Sequence, residues 1–150
     1  MGSQEMPDFP WFKIYKERGI PVTLQPYPEE PSHSFLDRAA KLETDGGCVQ
    51  LGLMLHYRDI KNHADRLANA LASRNVLKGD RVLTMLPTSI QFVVADAAIS
   101  KGGAVHIPCN PLEPTDSLAK KVIETSPKVL ICLAGEAEKA RYLLRESFFH

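Results

Sequence analysis

The chain has 150 residues, enough for about one domain with a real core, and its 44% hydrophobic and 24% charged composition is that of a soluble globular protein. Its 18 basic and 18 acidic residues cancel, so no overall charge draws it to nucleic acid or to anionic lipid. The basic residues are scattered, with only Lys120 and Lys121 adjacent and no aromatic interleaving, which argues further against a nucleic-acid partner.

The first residues, MGSQEMPDFPW, lack a basic region followed by an apolar run and do not read as a secretory signal. Met6 stands where a myristoylation signal needs Ser or Thr. Residues 1–31 are rich in proline, and Pro7, Pro10, Pro21, Pro26, Pro28 and Pro31 rule out a long helix. Trp11, Phe12, Ile14 and Tyr15 are too apolar for a disordered tail, so a short helical turn is expected between Pro10 and Gly19. This segment reads as an arm packed on a globular body made of residues 32–150.

Ser32 or Ser34 can cap a helix that carries Phe35, Leu36, Ala39, Ala40 and Leu42. Cys48–Leu51 and Leu53–Leu55 then read as two short strands in a hairpin about Gly52. The clearest periodicity follows, from Tyr57 to Arg74, where Ile60, Ala64, Leu67, Ala68 and Leu71 share one helical face. Asn75 is placed to end that helix, and Lys78-Gly79-Asp80 turns the chain.

Three short apolar runs come next: Arg81–Leu86, Ala104–Pro108 and Lys128–Leu133. None alternates with period two, as expected for strands covered on both faces. The helix Ser89–Lys101 between the first two is apolar almost all round and should be deeply buried. Its most apolar window, Ile90–Ile99, contains Gln91 and Asp96 and is too short to span a bilayer, so no transmembrane segment is expected. Thr115–Thr125 carries a narrower stripe of Leu118, Val122 and Ile123, and a last helix, Gly135–Arg145, follows the third strand. Right-handed crossovers make this a three-layer α/β unit, βαβαβα, with a parallel sheet.

Several phrases now align with one family. Leu55-His56-Tyr57-Arg58-Asp59-Ile60 opens a helix that runs to Arg66-Leu67-Ala68-Asn69-Ala70-Leu71. Leu77-Lys78-Gly79-Asp80-Arg81-Val82, Leu86-Pro87-Thr88-Ser89, Lys101-Gly102-Gly103-Ala104-Val105 and Pro108-Cys109-Asn110-Pro111-Leu112 follow in order. This order and spacing, from about Trp11 to Leu133, resembles the amino-terminal part of the large domain of the AMP-forming adenylating enzymes. Those include acyl-CoA synthetases, aryl-CoA ligases, luciferases and peptide-synthetase adenylation domains. The arm Trp11…Tyr15…Ile20-Pro21 is most similar to medium- and long-chain fatty acyl-CoA synthetases. Three positions depart from the pattern: His56 replaces a capping Thr, Thr88 an Asn, and Gly103 an Ala. Thr88 can still cap the next helix, whereas His56 is a poorer cap and should weaken the start of its own.

The resemblance implies a fatty-acid–CoA ligase. ATP and a carboxylate give an acyl-adenylate and pyrophosphate, and coenzyme A then displaces AMP to give the thioester. ATP, Mg²⁺ and CoA are the cofactors implied for a full-length parent. The family's Ser/Thr/Gly-rich phosphate loop, its aromatic-Thr-Glu segment, its ribose-binding Asp and its lid Lys have no counterpart in these 150 residues. No catalytic, cofactor-binding or metal-binding residue is therefore assigned, and the fragment alone is expected to be inactive. The expected partners are the remainder of the large domain, a carboxy-terminal lid and the fatty acid. Oligomeric state is left open, with the arm at residues 7–31 able to exchange between subunits of a homodimer.

Several residues invite a sharper reading. Ser100-Lys101-Gly102-Gly103 follows a helix and precedes a strand, the reverse of a phosphate loop, and reads as a helix end and turn. Pro87-Thr88-Ser89 does lie between a strand and a helix start but lacks the glycine that lets backbone wrap a pyrophosphate. Asp80 reads as the polar residue of a turn. His106 and Cys109 flank a strand end, yet strand alternation points them to opposite faces, which disfavours a nucleophile–base pair. Trp11 and Tyr15 could line an acyl tunnel, although anchoring the arm explains them more simply. The three cysteines, Cys48, Cys109 and Cys132, form no CxxC pair and read as reduced thiols of a cytosolic protein. The dispersed histidines offer no zinc spacing. A cytoplasmic location is expected, with peripheral membrane association as the variant.

Two other readings stand beside the ligase. One is a non-catalytic α/β binding or regulatory module that keeps the fold. The other, a dinucleotide-binding domain, lacks any GxGxxG after a strand. The apolar ending Leu143, Leu144, Phe148, Phe149 and the open edge of a three-stranded sheet both point to missing structural partners.

Overall fold

The structure, a computed structural model, describes residues 9–23, 25–42 and 45–146. Phe148 and Phe149 thus lie outside the described residues. The chain divides into two compact units, with the break between Glu30 and Pro31.

In the first unit, helix α1 spans Pro10–Glu17. Proline suits its first position, because φ is already helical and the missing N–H would have no partner there. The helix ends where Gly19 adopts φ +65°, with Gly19 N–H bonded to the Lys16 carbonyl and Ile20 N–H to that of Tyr15. This is a Schellman end, and the left-handed residue is the one without a Cβ. The helical turn expected between Pro10 and Gly19 is present.

The second unit is built on the three expected strands. Strands β3 (Arg81–Met85), β4 (Val105–Cys109) and β5 (Val129–Cys132) form a parallel sheet in the order β4-β3-β5. Two shorter strands precede them, β1 (Gly47–Gln50) and β2 (Leu53–His56), paired antiparallel as the expected hairpin. Its turn residues, Leu51 and Gly52, both have positive φ (+48° and +79°). That is the twist a two-residue hairpin favours, achieved here with a leucine in place of the usual Asn or Asp.

Helices α3 (Tyr57–Ser73) and α4 (Ile90–Lys101) cover one face of the parallel sheet. The other face is covered by α5 (Thr115–Thr125) and by α6 (Ala137–Glu146), which a 3-10 turn at Ala134–Glu136 precedes. The sheet residues alternate accordingly. Val82 packs with Leu71, Val76 and Ile99 on the first face. Leu83 and Met85 pack with Leu118, Val122 and Leu143 on the second. Each such fully buried side chain contributes roughly 1.5–3 kcal/mol of burial free energy. The fold expected from the sequence, an α/β unit with a parallel three-stranded sheet between helical layers, is the one observed.

Some details differ. Helix α2 (His33–Ala39) is not capped by Ser32, which is itself helical (φ −56°, ψ −34°) and makes no capping bond. Its hydroxyl instead donates to Ser100 Oγ at 2.9 Å. Ser34 lies inside the helix. The helix stops at Ala39, short of Ala40 and Leu42; Phe35 and Leu42 are exposed, and Leu36 packs with Leu67 and Ala68 against the alanine cluster Ala64, Ala97 and Ala98. A charge cluster reinforces that packing: Lys101 Nζ bridges Asp37 at 2.5 Å and Asp65 at 2.9 Å. Helix α4 buries Ile90, Ala95 and Ala97–Ile99, but Val93 is exposed and Phe92 half-buried, so its amino-terminal half is less covered than its composition suggested. On α5, Leu118 and Val122 carry the buried stripe and Ile123 turns outward. The start of α3 is supported from within, because Asp59 Oδ2 accepts the His56 N–H at 3.2 Å.

Candidate functional site

Strand β3 runs into α4 on one face of the sheet, while its neighbour β4 leads to α5 on the other. Adjacent strands whose exits part to opposite faces leave a crevice at their carboxyl ends, the usual ligand position in an open parallel sheet. A cavity of about 380 Å³ lies there, walled by Leu86, Pro87 and Thr88 after β3 and by Pro108, Cys109 and Asn110 at the end of β4, with Phe92 of α4 between them.

Beneath it runs a polar chain. His106 Nδ1 is 2.7 Å from Asp96 Oδ1, and His106 Nε2 is 2.9 Å from Thr84 Oγ1. The Phe92 ring lies against the imidazole, with centroids 5.5 Å apart. Thr84 is fully buried, whereas the Asp96 side chain is half-exposed. An Asp–His–Thr order superficially suits nucleophile activation. The hydroxyl at its end is sealed in the central strand, however, where no substrate atom can approach. The arrangement satisfies a buried hydroxyl and fixes α4 to the sheet.

Two amides in the first turn of α4 are bonded within the chain itself. Ser89 Oγ accepts the Phe92 N–H at 3.2 Å, and Gln50 Oε1 of the hairpin accepts the Ile90 N–H at 2.8 Å. Ser89, not Thr88, is therefore the capping residue. The opposite wall is equally self-satisfied. Asn110 Oδ1 accepts the Leu112 N–H at 3.0 Å, and Glu113 receives Lys121 Nζ at 2.8 and 2.7 Å. The Lys121 hydrogen bonds hold the Glu113 carboxyl below its ordinary pKa. Lys139 Nζ donates to the Pro111 and Glu113 carbonyls at 2.9 and 3.0 Å, pinning the Asn-Pro turn to α6.

Cys109 faces away from His106, among Leu83, Met85, Leu118 and Leu143, and burial pushes its thiol pKa up. A raised pKa is the opposite of what a thiolate nucleophile needs. Asp80 accepts the Leu77 N–H and Lys128 Nζ, both at 2.7 Å, the work of a turn residue. Lys101-Gly102-Gly103 closes α4 and turns into β4. Trp11 and Tyr15 lie on α1 in the first unit. Among the described residues no three His, Cys, Asp or Glu side chains gather to hold a metal ion.

A second, larger cavity of about 890 Å³ opens between the hairpin, α3 and the amino-terminal half of α4. Its walls are mainly apolar, with Leu51, Leu53, Leu55, Leu67 and Val94 prominent. The Asp96–His106–Thr84 chain and this groove were not singled out in the sequence. Strand register places Thr84 beside His106, and the packing of α4 and the hairpin on the sheet brings in Asp96 and the walls of the groove.

This architecture is that of a known family. The family model described as AMP-binding enzyme matches residues 36–147, and the chain belongs to that family of adenylate-forming enzymes. It is 34% identical over 111 residues to malpibaldin synthetase of Mortierella alpina, covering 73% of this chain and 2% of that protein. Its fold superposes on a benzoate CoA ligase of Burkholderia xenovorans LB400 with a TM-score of 0.71 at 17% identity, covering 77% of this chain and 24% of the ligase. A fatty acyl CoA synthetase of Mycobacterium tuberculosis superposes with a TM-score of 0.56 at 27% identity, over 60% of this chain and 18% of that one. The chain thus spans a quarter or less of the length of each of these three proteins. No described helix is long and apolar enough to cross a membrane.

Proposed function

We propose that this chain is the amino-terminal segment of an ATP-dependent fatty-acid–CoA ligase and serves as scaffold for the reaction. The family match over residues 36–147 carries the reading. Support for a fatty acid comes from the arm Trp11…Tyr15…Ile20-Pro21 and from the likeness to the mycobacterial synthetase.

The crevice at β3 and β4 does not fit ATP. None of its lining residues carries a charge to face a triphosphate or bind Mg²⁺, and two amides at the start of α4 are already bonded. In this reading the phosphate-binding loop and the lid lie in other parts of the protein, and no step of the reaction is routed through this chain's side chains. What the chain supplies is a sheet with β4 and β5 unpaired on their outer sides among the described residues, together with the apolar groove beside the hairpin. Both suit packing against the remainder of a large domain.

The test is acid-dependent ATP–pyrophosphate exchange. Residues 1–150 alone are expected to give none with any fatty acid, and exchange by this segment would overturn the scaffold role. The protein extended through its following reading frame is expected to give exchange with fatty acids and CoA-dependent release of AMP. Exchange with amino acids or aromatic acids in place of fatty acids would overturn the choice of substrate. A reading frame that stops at His150 would favour the non-catalytic module.

A further inference from the structure

We propose that β5, and not β4, is the edge at which the remainder of the protein adds its next strand, and that this strand runs parallel to the other three. The inference rests on the reading above, in which more of the domain follows this chain.

The two edges differ in the amides they offer. The Val105 N–H bonds to the Asp80 carbonyl at 2.8 Å, and Val105 lies in register with Arg81. Successive residues of a strand turn their N–H and C=O to opposite sides. Val105, Ile107 and Cys109 therefore address β3, while His106 and Pro108 address the outer side. Proline has no N–H to give. The next outward amide, that of Asn110, already bonds to Glu113 Oε1 at 3.3 Å. A strand laid along β4 would meet the His106 amide and then a gap, which is how natural proteins close an edge. Strand β5, Val129–Cys132, has neither proline nor charge, so every position on its outer side keeps its N–H.

The helices fix the direction in which the sheet grows. From β3 to β4 the chain steps one way across the sheet with α4 on the first face. From β4 to β5 it steps back the other way with α5 on the second face. Opposite steps on opposite faces are what right-handed crossovers require. Helix α6 follows β5 and packs on the second face beside α5, through Ala140 and Leu143. A right-handed crossover through α6 must then continue in the direction of the α5 step, past β5 to its outer side. At about 1.5 Å per residue, α6 is long enough to carry the chain back along so short a strand. The amides and the handedness select the same edge independently.

The occupant is an extended apolar segment about as long as β5. Val129 and Ile131 turn their side chains to the first helical face, and Leu130 and Cys132 turn theirs to the second. All four are only partly buried, whereas Val82–Met85 of the central strand are fully so. The neighbour that covers them must be apolar towards both faces and free of proline where its amides meet β5. Ile131, Cys132 and Leu133 also wall the groove beside the hairpin, so the added strand extends that wall.

The test is hydrogen–deuterium exchange, resolved amide by amide, on the protein extended through its following reading frame. In an edge strand alternate amides face water, and in an interior strand all are bonded. The β5 amides, Val129 to Cys132, are all expected to exchange at least about 100-fold more slowly than the outward amide of His106 on β4. The proposal is overturned if alternate β5 amides exchange as fast as His106, or if His106 is protected to the same degree. It is equally overturned if β5 becomes protected only as protein concentration rises, which would assign the edge to a second copy. A structure of the extended protein with an antiparallel neighbour on β5 would overturn the direction. Protection of β5 in an extended protein that lacks ATP–pyrophosphate exchange would refute the ligase reading and leave this inference standing. A reading frame that stops at His150 would refute both.

Discussion

The two faces of the parallel sheet are built from the same three strands but by different rules. Towards α5 and α6, Leu83, Met85, Cys109, Leu118, Val122 and Leu143 pack with no polar side-chain atom beyond sulfur. Towards α4, Val82 and Ile99 share the interface with Thr84, His106 and Asp96, joined by two hydrogen bonds. The first face is held by shape and loses stability in proportion to the volume removed. The second depends on pairing, and a group left without its partner costs more than the bond itself contributed. The site-like order Asp96–His106–Thr84 on the second face serves packing, because it satisfies a buried hydroxyl and ties α4 to the sheet.

The comparison makes distinct demands on experiment. The largest effect is expected on the apolar face: Leu118→Ala should cost about 3 kcal/mol of unfolding free energy in a urea titration, within the range of about 2–5 kcal/mol for buried Leu. A loss below about 1 kcal/mol would mean that the face collapses around the cavity and is not shape-determined. On the polar face, His106→Ala should cost about 1–3 kcal/mol because the fully buried Thr84 hydroxyl loses its partner. Adding Thr84→Val should recover part of that loss, so the double variant sits above the sum of the two singles. Strict additivity would show that Thr84 and His106 act separately.

The smallest effect lies at the edge of this second face, where α2 meets α4. Lys101→Met should cost about 1 kcal/mol or less, since Asp65 is 38% exposed and water screens its charge. Hydrogen bonds from Lys61 and then Lys101 hold the Asp65 carboxyl below its ordinary pKa. That contribution is present above the unfolded value of about 3.9 and is lost as pH falls through the lower folded value. For Lys101, burial works against the charge, but the hydrogen bonds to Asp37 and Asp65 outweigh it and the ammonium pKa is raised. Its contribution is complete below about pH 10.4 and is lost as pH rises through the folded value. The stability difference between the parent chain and the Lys101→Met variant, followed by urea unfolding across pH, should be flat near neutrality and close at both extremes. A difference that persists at acid pH would assign it to packing of the lysine stem.

The backbone plan was largely legible because each element carries its own punctuation. Apolar runs without alternation located three strands to within a residue or so at each end. Asn75 and Ser126, with φ of +60° and +42°, follow α3 and α5. Asn75 was recognisable as an ending from its side chain, whereas Ser126 was not. Side-chain pairings were harder to read. Thr88 and Ser89 are equally suited to cap α4, and only the turn in space selects Ser89. The helix expected to carry Phe35 through Leu42 ends at Ala39, and composition did not tell which side of that seven-residue helix meets the body, so Phe35 is exposed. The bond from Gln50 to α4 spans 40 positions, and Thr84 to His106 spans 22. Such pairs follow from strand register and hairpin placement, which no local pattern encodes. The adenylate-forming family was readable from ordered phrases that are themselves turns and caps.

Met85 has a consequence for how the chain meets oxidants. It pairs in register with Cys109 on one side and Cys132 on the other, so the two thiols flank a thioether on a single face of the sheet. Two strand spacings separate them, about 9.5 Å between Cα positions. A disulfide reaches no further than about 7 Å. Burial raises the pKa of both thiols, which keeps them protonated near neutral pH. The central methionine is therefore an insulating spacer: it prevents an internal cross-link between these two strands, and peroxide would have to unseat the strand order before the sulfurs could join.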